Sequence, residues 1–386
     1  MKKPKLMDLG RCQSLMQQQG IDVLAPSTEA HIYYTSEFPC YEFTFEPETV
    51  AFSLIPADPK IDPYLLLPHN SRLSLLQFQT WIPRVGFFGN FTITNGPEIP
   101  GFRVDTVYEA FGRALAEMGL TKARVGVEYH RLPAAAYERL KKELPDVQFV
   151  DGTDVLLGVR EVKTREEMAR LKKAGDAIEK AIAAAYAKAK PGMTERDLEW
   201  IIRRRVLDEG CTTNYVQVGA GSRGAFGAVY PSDTKIKKGD VIRIDASACY
   251  QYYVSDICRI AVVGKPTKVM EHAYAAMFDA EMAAVNMAKP GVKISDMFHA
   301  AMKVPQSRGI SDYRRHHIGH GLGLSSHERP FLAPWNEQEL KEGMVVCVET
   351  PYYLYGVGGF APEDQVIITR RGHKLMTTPQ EKLIVI

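Results

Sequence analysis

The segment VIRIDASACYQYYVSDICRIAVVG, residues 241–264, carries two aspartates inside two apolar runs. The runs are rich in isoleucine and valine and predict two β-strands, joined near Tyr250–Gln251. A bend centred between these two residues makes Asp245 and Asp256 directly opposed partners of an antiparallel hairpin, with both side chains on one face. Two carboxylates so close in apolar strands repel each other. A shared proton, an arginine or lysine, or a cation must therefore offset their charge.

The same construction recurs near the C-terminus, in GMVVCVETPYYLYGVGGFAPEDQVIIT (343–369). Glu349 ends one apolar run, Glu363 begins the next, and the glycines within 356–359 supply a bend. Between the two hairpins lies HHIGHGLGLSSHERP (316–330), which holds four of the ten histidines of the chain. A histidine-rich tract alone is weak evidence for a metal site. Its meaning depends on whether the carboxylates complete a ligand set.

The predicted cleft thus combines two aspartates, two glutamates and nearby histidines. Carboxylate oxygens with one imidazole suit divalent ions such as Mn²⁺, Co²⁺, Zn²⁺ or Fe²⁺. Four carboxylates carry too much negative charge for one divalent ion, which favours a two-metal site. Such a pair of ions can deprotonate a bridging water and polarise a carbonyl group.

The pattern along the chain predicts two domains, at residues 1–158 and 159–386. The first alternates helices and strands, which is typical of an α/β domain, with strands expected at 21–26, 31–36, 49–56, 64–68, 124–130 and 147–152. The second begins with two long amphipathic helices, and a similar helix–Lys-Pro-Gly–helix pattern returns at 273–304. This weak repeat indicates two related halves that share one cleft, although two unrelated helical pairs are also compatible with it. Three residues are predicted to cap helices, namely Thr164, Thr194 and Ser295.

Composition excludes several classes of partner. The formal net charge is +2 among 386 residues, so no overall field favours nucleic acid or an anionic membrane. No apolar run reaches the roughly 18 residues of a membrane span, and no apolar region of a signal peptide follows the basic N-terminus. The six cysteines are scattered without a CxxC motif, which indicates reduced thiols and a cytoplasmic protein.

The order Asp, Asp, His, Glu, Glu resembles the metal-ligand signature of the pita-bread family, which includes methionine aminopeptidases, Xaa-Pro aminopeptidases, prolidases and creatinase. IDASACYQYYVSDICR resembles the family's aspartate hairpin, GHGLGLSSHERP its histidine motif, and VETP and PEDQVIIT its two glutamate motifs. The resemblance covers residues 160–386 strongly and 1–155 more loosely. It implies an α/β (α+β) fold. A pita-bread catalytic domain with pseudo-twofold halves would follow a smaller N-terminal domain of the creatinase and prolidase type.

The resemblance also implies a role for each motif residue. Asp245 would chelate one ion, His320 and Glu349 would hold the other, and Asp256 and Glu363 would bridge the two. Glu349 would also act as the general base. His327 matches the histidine that contacts substrate and stabilises the developing oxyanion. His316 and His317 match no ligand; a structural role is expected for them, and lining the pocket is the alternative.

Three departures from the family pattern concern substrate binding rather than metal binding. The Xaa-Pro peptidases carry a histidine about 17 residues before the first aspartate, where this chain has Ala228, Val229 and Tyr230. Their basic residue two positions before the last glutamate is Ala361 here, and their hairpin glycines are Ser247 and Tyr252. Two interpretations stay open for nearby residues. Arg223 either anchors a substrate carboxylate or is a solvated loop residue, and the aromatic residues at 352, 353, 355 and 360 either wall a pocket or form core.

These observations predict a dinuclear metal-dependent hydrolase of a C–N bond, similar to Xaa-Pro dipeptidases and aminopeptidases and acting through a metal-bridging hydroxide. The expected substrate is a small peptide or a small amide. A creatinase-like or ectoine-hydrolase-like enzyme, without metal, is the first alternative, and a non-catalytic binding module is the second. The resemblance further implies a homodimer, in which the N-terminal domain of one subunit helps close the partner's site, with 41–45 and 87–96 as candidate contacts.

Overall fold

The computed structural model describes residues 4–46 and 48–386. The chain forms two compact units, Met1–Arg160 and Glu161–Ile386, and each has its own sheet and hydrophobic core. No helix in the described parts of the chain is both long enough and apolar enough to cross a membrane.

The first unit is built on a mixed sheet in the order β5-β4-β3-β2-β1-β6-β7. Its core lies between this sheet and two of the helices, where the Phe52 and Phe111 rings meet edge to face at 4.9 Å. The strands are β1 (Val23–Ala25), β2 (Phe52–Pro56), β3 (Tyr64–Pro68), β4 (Arg84–Phe88), β5 (Phe102–Val104), β6 (Arg124–Val127) and β7 (Gln148–Asp151). The helices are α1 (Leu9–Gln18), α2 (Glu29–Ser36), α3 (Glu42–Phe45), α4 (Val107–Glu117), α5 (Ala134–Glu143) and α6 (Thr153–Arg160).

The strand predicted at residues 31–36 is wrong, because this segment forms α2. All six residues are buried, so the apolar run has no period that separates a helix from a strand. The helix start is fixed by side chains. Thr28 accepts a hydrogen bond from the backbone N–H of His31 at 3.3 Å, and Glu128, about a hundred positions away in sequence, accepts one from the N–H of Thr28 at 3.1 Å. Local sequence carries no sign of the second contact.

Two helix pairs open the two halves of the second unit, as the repeat predicts. They are α7 (Arg165–Lys188) with α8 (Glu195–Asp208), and α9 (Lys268–Met287) with α10 (Ile294–Ser307). Thr164 and Thr194 cap α7 and α8 in reciprocal capping boxes, as expected. The cap predicted at Ser295 is wrong. Ser295 is a buried residue inside α10, whose N-cap is Lys293 and has no side-chain hydrogen bond.

The strands of the second unit form one large sheet in the order β10-β9-β11-β17-β14-β12-β13, with β8, β18 and β19 paired at β9, β17 and β11. One core packs α7 and α8 against β8 and β9, and the other packs α9 and α10 against β11, β14 and β17. The strands are β8 (Thr212–Ala220), β9 (Val241–Tyr250), β10 (Tyr253–Val254), β11 (Ile257–Val262), β12 (Gly319–Gly321), β13 (Glu328–Phe331), β14 (Val345–Glu349), β15 (Tyr352–Leu354), β16 (Gly358–Phe360), β17 (Glu363–Thr369), β18 (Gly372–Leu375) and β19 (Ile384–Val385).

The register predicted for the first hairpin is wrong by two residues. Asp245 pairs with Cys258 rather than with Asp256. The turn residues are Gln251 and Tyr252, with φ of 47° and 73°, so the turn has the left-handed geometry of a tight two-residue hairpin. Asparagine and glycine are the residues that usually adopt this geometry. The chain has glutamine and tyrosine at these two positions, so the sequence gives no turn signal there. A shift of two residues keeps both aspartates on the same face, because side chains alternate with a period of two.

Candidate active site

The five predicted ligands line a single cleft of about 450 Å³ in the second unit. Asp245 lies in the middle of β9 and Asp256 directly precedes β11. His320 is the central residue of β12, while Glu349 ends β14 and Glu363 begins β17, where the two glutamates are paired across the strands. The neighbouring strands β9, β11, β17, β14 and β12 therefore each bring one acidic or imidazole group to the same place. The other lining residues are Tyr215, Gln217, Gly227, Arg315, His317, Ser326, His327 and Tyr353.

The carboxylates approach within metal-binding distance of one another. Ligand atoms of Asp245, Asp256 and Glu363 all lie within 4.8 Å of each other. The Tyr215 hydroxyl donates to Asp245 Oδ1 at 3.0 Å and also contacts Asp256 Oδ1, so one phenol proton serves two carboxylates. Tyr215 comes from β8, which pairs with β9, and sequence reasoning missed it.

The buried carboxylates are short of positive charge. Burial, reinforced by the Asp245 charge, raises the pKa of Asp256 well above its usual range, and burial together with Asp256 does the same for Glu363. Burial raises the pKa of Glu349 to about 7, with Arg315 opposing this rise. Burial also raises the pKa of Asp245, against the opposing charge of Arg243. Cations at the centre of this cluster would favour the ionised form of all four groups.

His320 and His327, the two histidines with roles in the predicted site, stack on each other. The rings of His320 and His327 are 3.8 Å apart and inclined by 24°. His320 Nε2 lies 4.0 Å from both Asp256 Oδ2 and Glu363 Oε1. Burial, with His327 adding to it, lowers the pKa of His320 to about 3, so its ring is neutral, the form that binds metal.

His327 is also close to the acids, since its ligand atom lies within 4.8 Å of those of Asp256 and His320. An imidazole binds an ion in the plane of its ring, at roughly 2.0–2.1 Å from the nitrogen. Two rings stacked face to face and nearly parallel cannot both hold the same ion in their planes. The stacking therefore favours a site in which only one of the two rings binds an ion. His320 is the better candidate, because its ring is buried among the acids.

The structure favours the pocket-lining alternative for His317. Its side chain lines the cleft, and Nδ1 lies 3.5 Å from Glu349 Oε1 and accepts a hydrogen bond from the Gly319 N–H at 3.2 Å. Burial lowers the pKa of His317 to about 4. His316 is exposed, with its ring 4.2 Å from that of His317. In this irregular segment before β12, His317 is buried and His316 is exposed, so only one of the adjacent histidines faces the cleft.

Arg243 is a buried cation beside the cleft that the sequence analysis did not identify. It is fully buried and donates to Asp245 Oδ2 at 3.1 Å. It also donates to the carbonyl oxygens of Gly224 at 3.0 Å and Phe226 at 2.6 Å, and its guanidinium lies 5.4 Å from the Tyr353 ring. The sequence did contain a sign of this contact. Arg243 lies two positions before Asp245 in the same strand, so the two side chains are on the same face of the sheet. Arg243 thus joins an acidic ligand candidate to the loop beside the cleft.

Replacing Arg243 with methionine is expected to lower the free energy of unfolding by about 3–5 kcal/mol, the range for leaving one partner of a buried ion pair uncompensated. Urea denaturation measures it. Arg204→Met, on the exposed face of α8, is the matched control and should change stability by less than about 0.5 kcal/mol. Equal stability of the two variants would show that Arg243 does not compensate the acids.

The structure resolves the two interpretations left open above. Arg223 is not among the residues that line the cleft, and it does not lie free in solvent. Its Nε is 2.9 Å from Oε1 of the buried Glu195, and it donates to the Tyr230 carbonyl at 2.7 Å, so it holds the 221–232 loop in shape. Of the aromatic residues, Tyr353 lines the cleft, Phe360 lies in the hydrophobic core and Tyr355 is 79% exposed.

The donor set fits divalent ions. It offers buried carboxylate oxygens and one neutral imidazole within a few ångströms, with too few cations of its own to neutralise them. Paired strands that present such a set, preceded by a separate α/β unit, fit a metal-dependent hydrolase.

Comparisons with known proteins agree with this class. Residues 169–370 match Metallopeptidase family M24, and residues 9–162 match the Creatinase/Prolidase N-terminal domain. The Xaa-Pro dipeptidase of Pyrococcus horikoshii is 32% identical over 264 residues, which are 67% of this chain and 74% of that protein. The crystal structure of the prolidase from the same organism aligns with a TM-score of 0.81 at 27% identity, over 97% of this chain and 99% of that one. The Xaa-Pro dipeptidase of Pyrococcus furiosus is 33% identical over 64% of this chain and 72% of its own length.

The chain therefore belongs to Metallopeptidase family M24. It is a hydrolase that acts on peptide bonds, and the family implies divalent metal ions and small peptide substrates. The predicted pita-bread catalytic domain with a creatinase-type N-terminal domain is confirmed.

Proposed function

We propose that the chain is a dinuclear metallopeptidase that cleaves Xaa-Pro dipeptides. The observation that carries the proposal is the convergence of Asp245, Asp256, His320, Glu349 and Glu363 on one cleft, each from a different strand or strand end. The Xaa-Pro dipeptidases among the relatives support this choice of substrate.

The proposed ligand set divides the five residues between two ions, with Mn²⁺, Co²⁺ and Zn²⁺ as the candidates. Asp245 would hold one ion, His320 and Glu349 would hold the other, and Asp256 and Glu363 would contribute to both. The neutral ring of His320 and the closeness of Asp256 to Glu363 support these roles. Bound there, the ions would supply an acidified water and a Lewis acid for the scissile carbonyl.

The chain's own groups would then move the proton and orient the substrate. Glu349 is the proposed general base, because the family resemblance assigns it that role and its carboxylate lines the cleft beside His317. His327 reaches the cleft beside His320 and is placed to donate a hydrogen bond to the developing oxyanion. Arg243 and Tyr215 keep Asp245 oriented.

A small non-peptide amide is a second candidate substrate, and the loop at 221–233 is the reason. This loop has no histidine, and in its place Val229 is buried and donates its N–H to Gln217 Oε1 at 2.9 Å. Gln217 itself lines the cleft. A peptide would therefore meet an amide side chain where the Xaa-Pro peptidases present an imidazole.

A substrate panel tests the function. Purified protein with added Mn²⁺ or Co²⁺ is assayed against Xaa-Pro dipeptides, the matching Xaa-Ala dipeptides, creatine and a cyclic amide. The proposal expects proline-selective dipeptide cleavage that chelation abolishes and metal restores. Turnover of creatine or the cyclic amide without peptide cleavage would replace it with the second candidate.

We also propose that the protein is a cytoplasmic homodimer. The cysteines are all free, which suits a reducing compartment, and Tyr41 and Phe91 in the two candidate contact segments are 64% and 56% exposed. Light scattering at micromolar concentration is expected to give twice the chain mass. A monomer with undiminished activity would contradict the dimer.

A further inference from the structure

Lys163 is a buried cation that is not among the residues lining the cleft, yet it is paired with a residue next to the cleft. Its side chain is 1% exposed, and Nζ lies 3.3 Å from Oε2 of Glu328, whose side chain is 4% exposed. The backbone N–H of Lys163 donates to the Gly343 carbonyl at 2.8 Å, two residues before β14 begins. The backbone of Lys163 is thus fixed beside one strand of the site, and its side chain reaches another.

Glu328 organises the turn that carries His327. It directly follows His327 and is the first residue of β13. Its Oε1 accepts a hydrogen bond from the Ser325 N–H at 2.9 Å. A Cβ on Gly323 would lie 2.7 Å from its Oε2, so the backbone approaches the carboxylate more closely than any other residue would allow. The turn at 323–328 is therefore folded around the Glu328 carboxylate.

The ion pair fixes an orientation rather than adding much stability. The loss of hydration of two buried charges offsets most of their attraction, whereas removal of one partner leaves the other uncompensated. Lys163 also faces Glu167, a second buried carboxyl, whose pKa burial raises to about 7 while the Lys163 charge opposes the rise. One cation thus serves two buried carboxyl groups, and Glu328 is held in a single direction between Lys163 and the turn.

His327 depends on this turn for its position. Its ring stacks on His320 at 3.8 Å, but the residue itself is exposed, so packing holds the ring from one side only. The backbone of the turn has to supply the rest of the constraint. For a group that acts on the reacting atoms, a displacement of about 1 Å can cost on the order of 10²-fold in rate.

We propose that Lys163 is a positioning residue for His327, acting through Glu328. The ion pair holds the 323–328 turn and thereby keeps the His327 ring stacked on His320 and directed at the scissile carbonyl. The inference rests on the proposed peptidase function and deepens it, because it assigns control of the oxyanion donor to a residue outside the cleft.

Replacement of Lys163 tests the proposal first. Lys163→Met should lower kcat for an Xaa-Pro dipeptide on the order of 10- to 100-fold, with unchanged metal content and a KM within about 3-fold of the wild-type value. Lys163→Arg should regain part of the loss, because it keeps the charge. Lys180→Met is the matched control, since Lys180 also pairs with a glutamate, Glu209 at 2.7 Å, but is 53% exposed. It should leave kcat at the wild-type value.

The His327→Ala background shows whether Lys163 acts through His327. Two residues that serve the same interaction do not have additive effects. Adding Lys163→Met to His327→Ala should therefore lower kcat by less than about 2-fold further. A general weakening of the site would instead multiply the two losses.

A variant without either charge separates folding from positioning. Lys163→Met alone leaves Glu328 uncompensated and lowers stability, whereas Lys163→Met combined with Glu328→Gln removes both charges and should unfold in urea at nearly the wild-type midpoint. Its kcat should still be lower than that of the wild type by about 10-fold or more, because the turn has lost the pair.

The outcomes distinguish this inference from the function on which it rests. Wild-type kcat in Lys163→Met or in the doubly substituted variant, or losses that multiply in the His327→Ala background, would overturn the role of Lys163 and leave the peptidase function standing. Failure of the wild-type protein to cleave any Xaa-Pro dipeptide would overturn the proposed function itself.

Discussion

Replacing His327 with alanine will lower kcat on the order of 10²–10³-fold while both metal ions stay bound. This is the scale seen when one donor to a developing oxyanion is removed. The reason lies in the stacked pair of rings. His320 is buried against the acids, whereas His327 is exposed and stacks on the His320 ring in the same cleft. Metal content by elemental analysis and kcat on an Xaa-Pro dipeptide are the two quantities to measure.

His320→Ala should lose metal as well as activity. It removes an imidazole next to Asp256 and Glu363, so metal content falls first and activity falls with it. His316→Ala is the matched control, because its exposed ring should change kcat far less than either. Loss of metal from His327→Ala, with both ions retained by His320→Ala, would reverse the two roles.

The metal-free chain will lose stability as the pH rises, and bound metal will abolish that loss. Burial raises the pKa of Glu349 from 4.5 to about 7 and raises those of Asp256 and Glu363 in the same direction. A carboxyl with a higher pKa in the folded state binds its proton more tightly when folded. Its contribution to stability is therefore complete below 4.5 and is lost as the pH rises through about 7.

For Glu349 alone the loss amounts to about 3 kcal/mol, and the aspartate and second glutamate add to it. Urea denaturation of chelator-treated protein at about pH 5 and about pH 8 measures the total. Glu349→Gln should remove the contribution of Glu349 to the pH dependence of the unfolding free energy, because the amide does not titrate. Metal-free protein whose stability is constant or rises over this interval would mean that the acids are compensated from within the chain.

The aspartate hairpin shows which features of the structure can be predicted from the sequence. The apolar runs placed both strands, and the period of two placed both carboxylates on one face, even though the predicted register was wrong by two residues. The error came from the turn, because Gln251 and Tyr252 adopt left-handed angles that their side chains do not signal. An error of two residues in the register leaves the predicted face of each side chain correct, but it makes the predicted cross-strand partners wrong.

The groups that complete the site were harder to find, for a physical reason. Tyr215 reaches the cleft from β8, which carries no motif, and Arg315 directly precedes the histidine motif without being part of it. The motif gives neither His316 nor His317 a role, so the sequence does not distinguish the two. In the structure His317 is buried in the cleft and His316 is exposed. Similarly, α2 depends on hydrogen bonds to Glu128, which lies far away in sequence.

Metal titration of the chelator-treated protein tests the central claim most directly. Mn²⁺ or Co²⁺ is added stepwise while bound metal and cleavage of an Xaa-Pro dipeptide are followed in the same samples. If the five side chains hold two ions that the reaction needs, binding will saturate at two ions per chain, activity will rise from the background level with occupancy, and Asp256→Asn will not reach the second equivalent. Full peptidase activity in protein that elemental analysis finds free of metal would contradict the account.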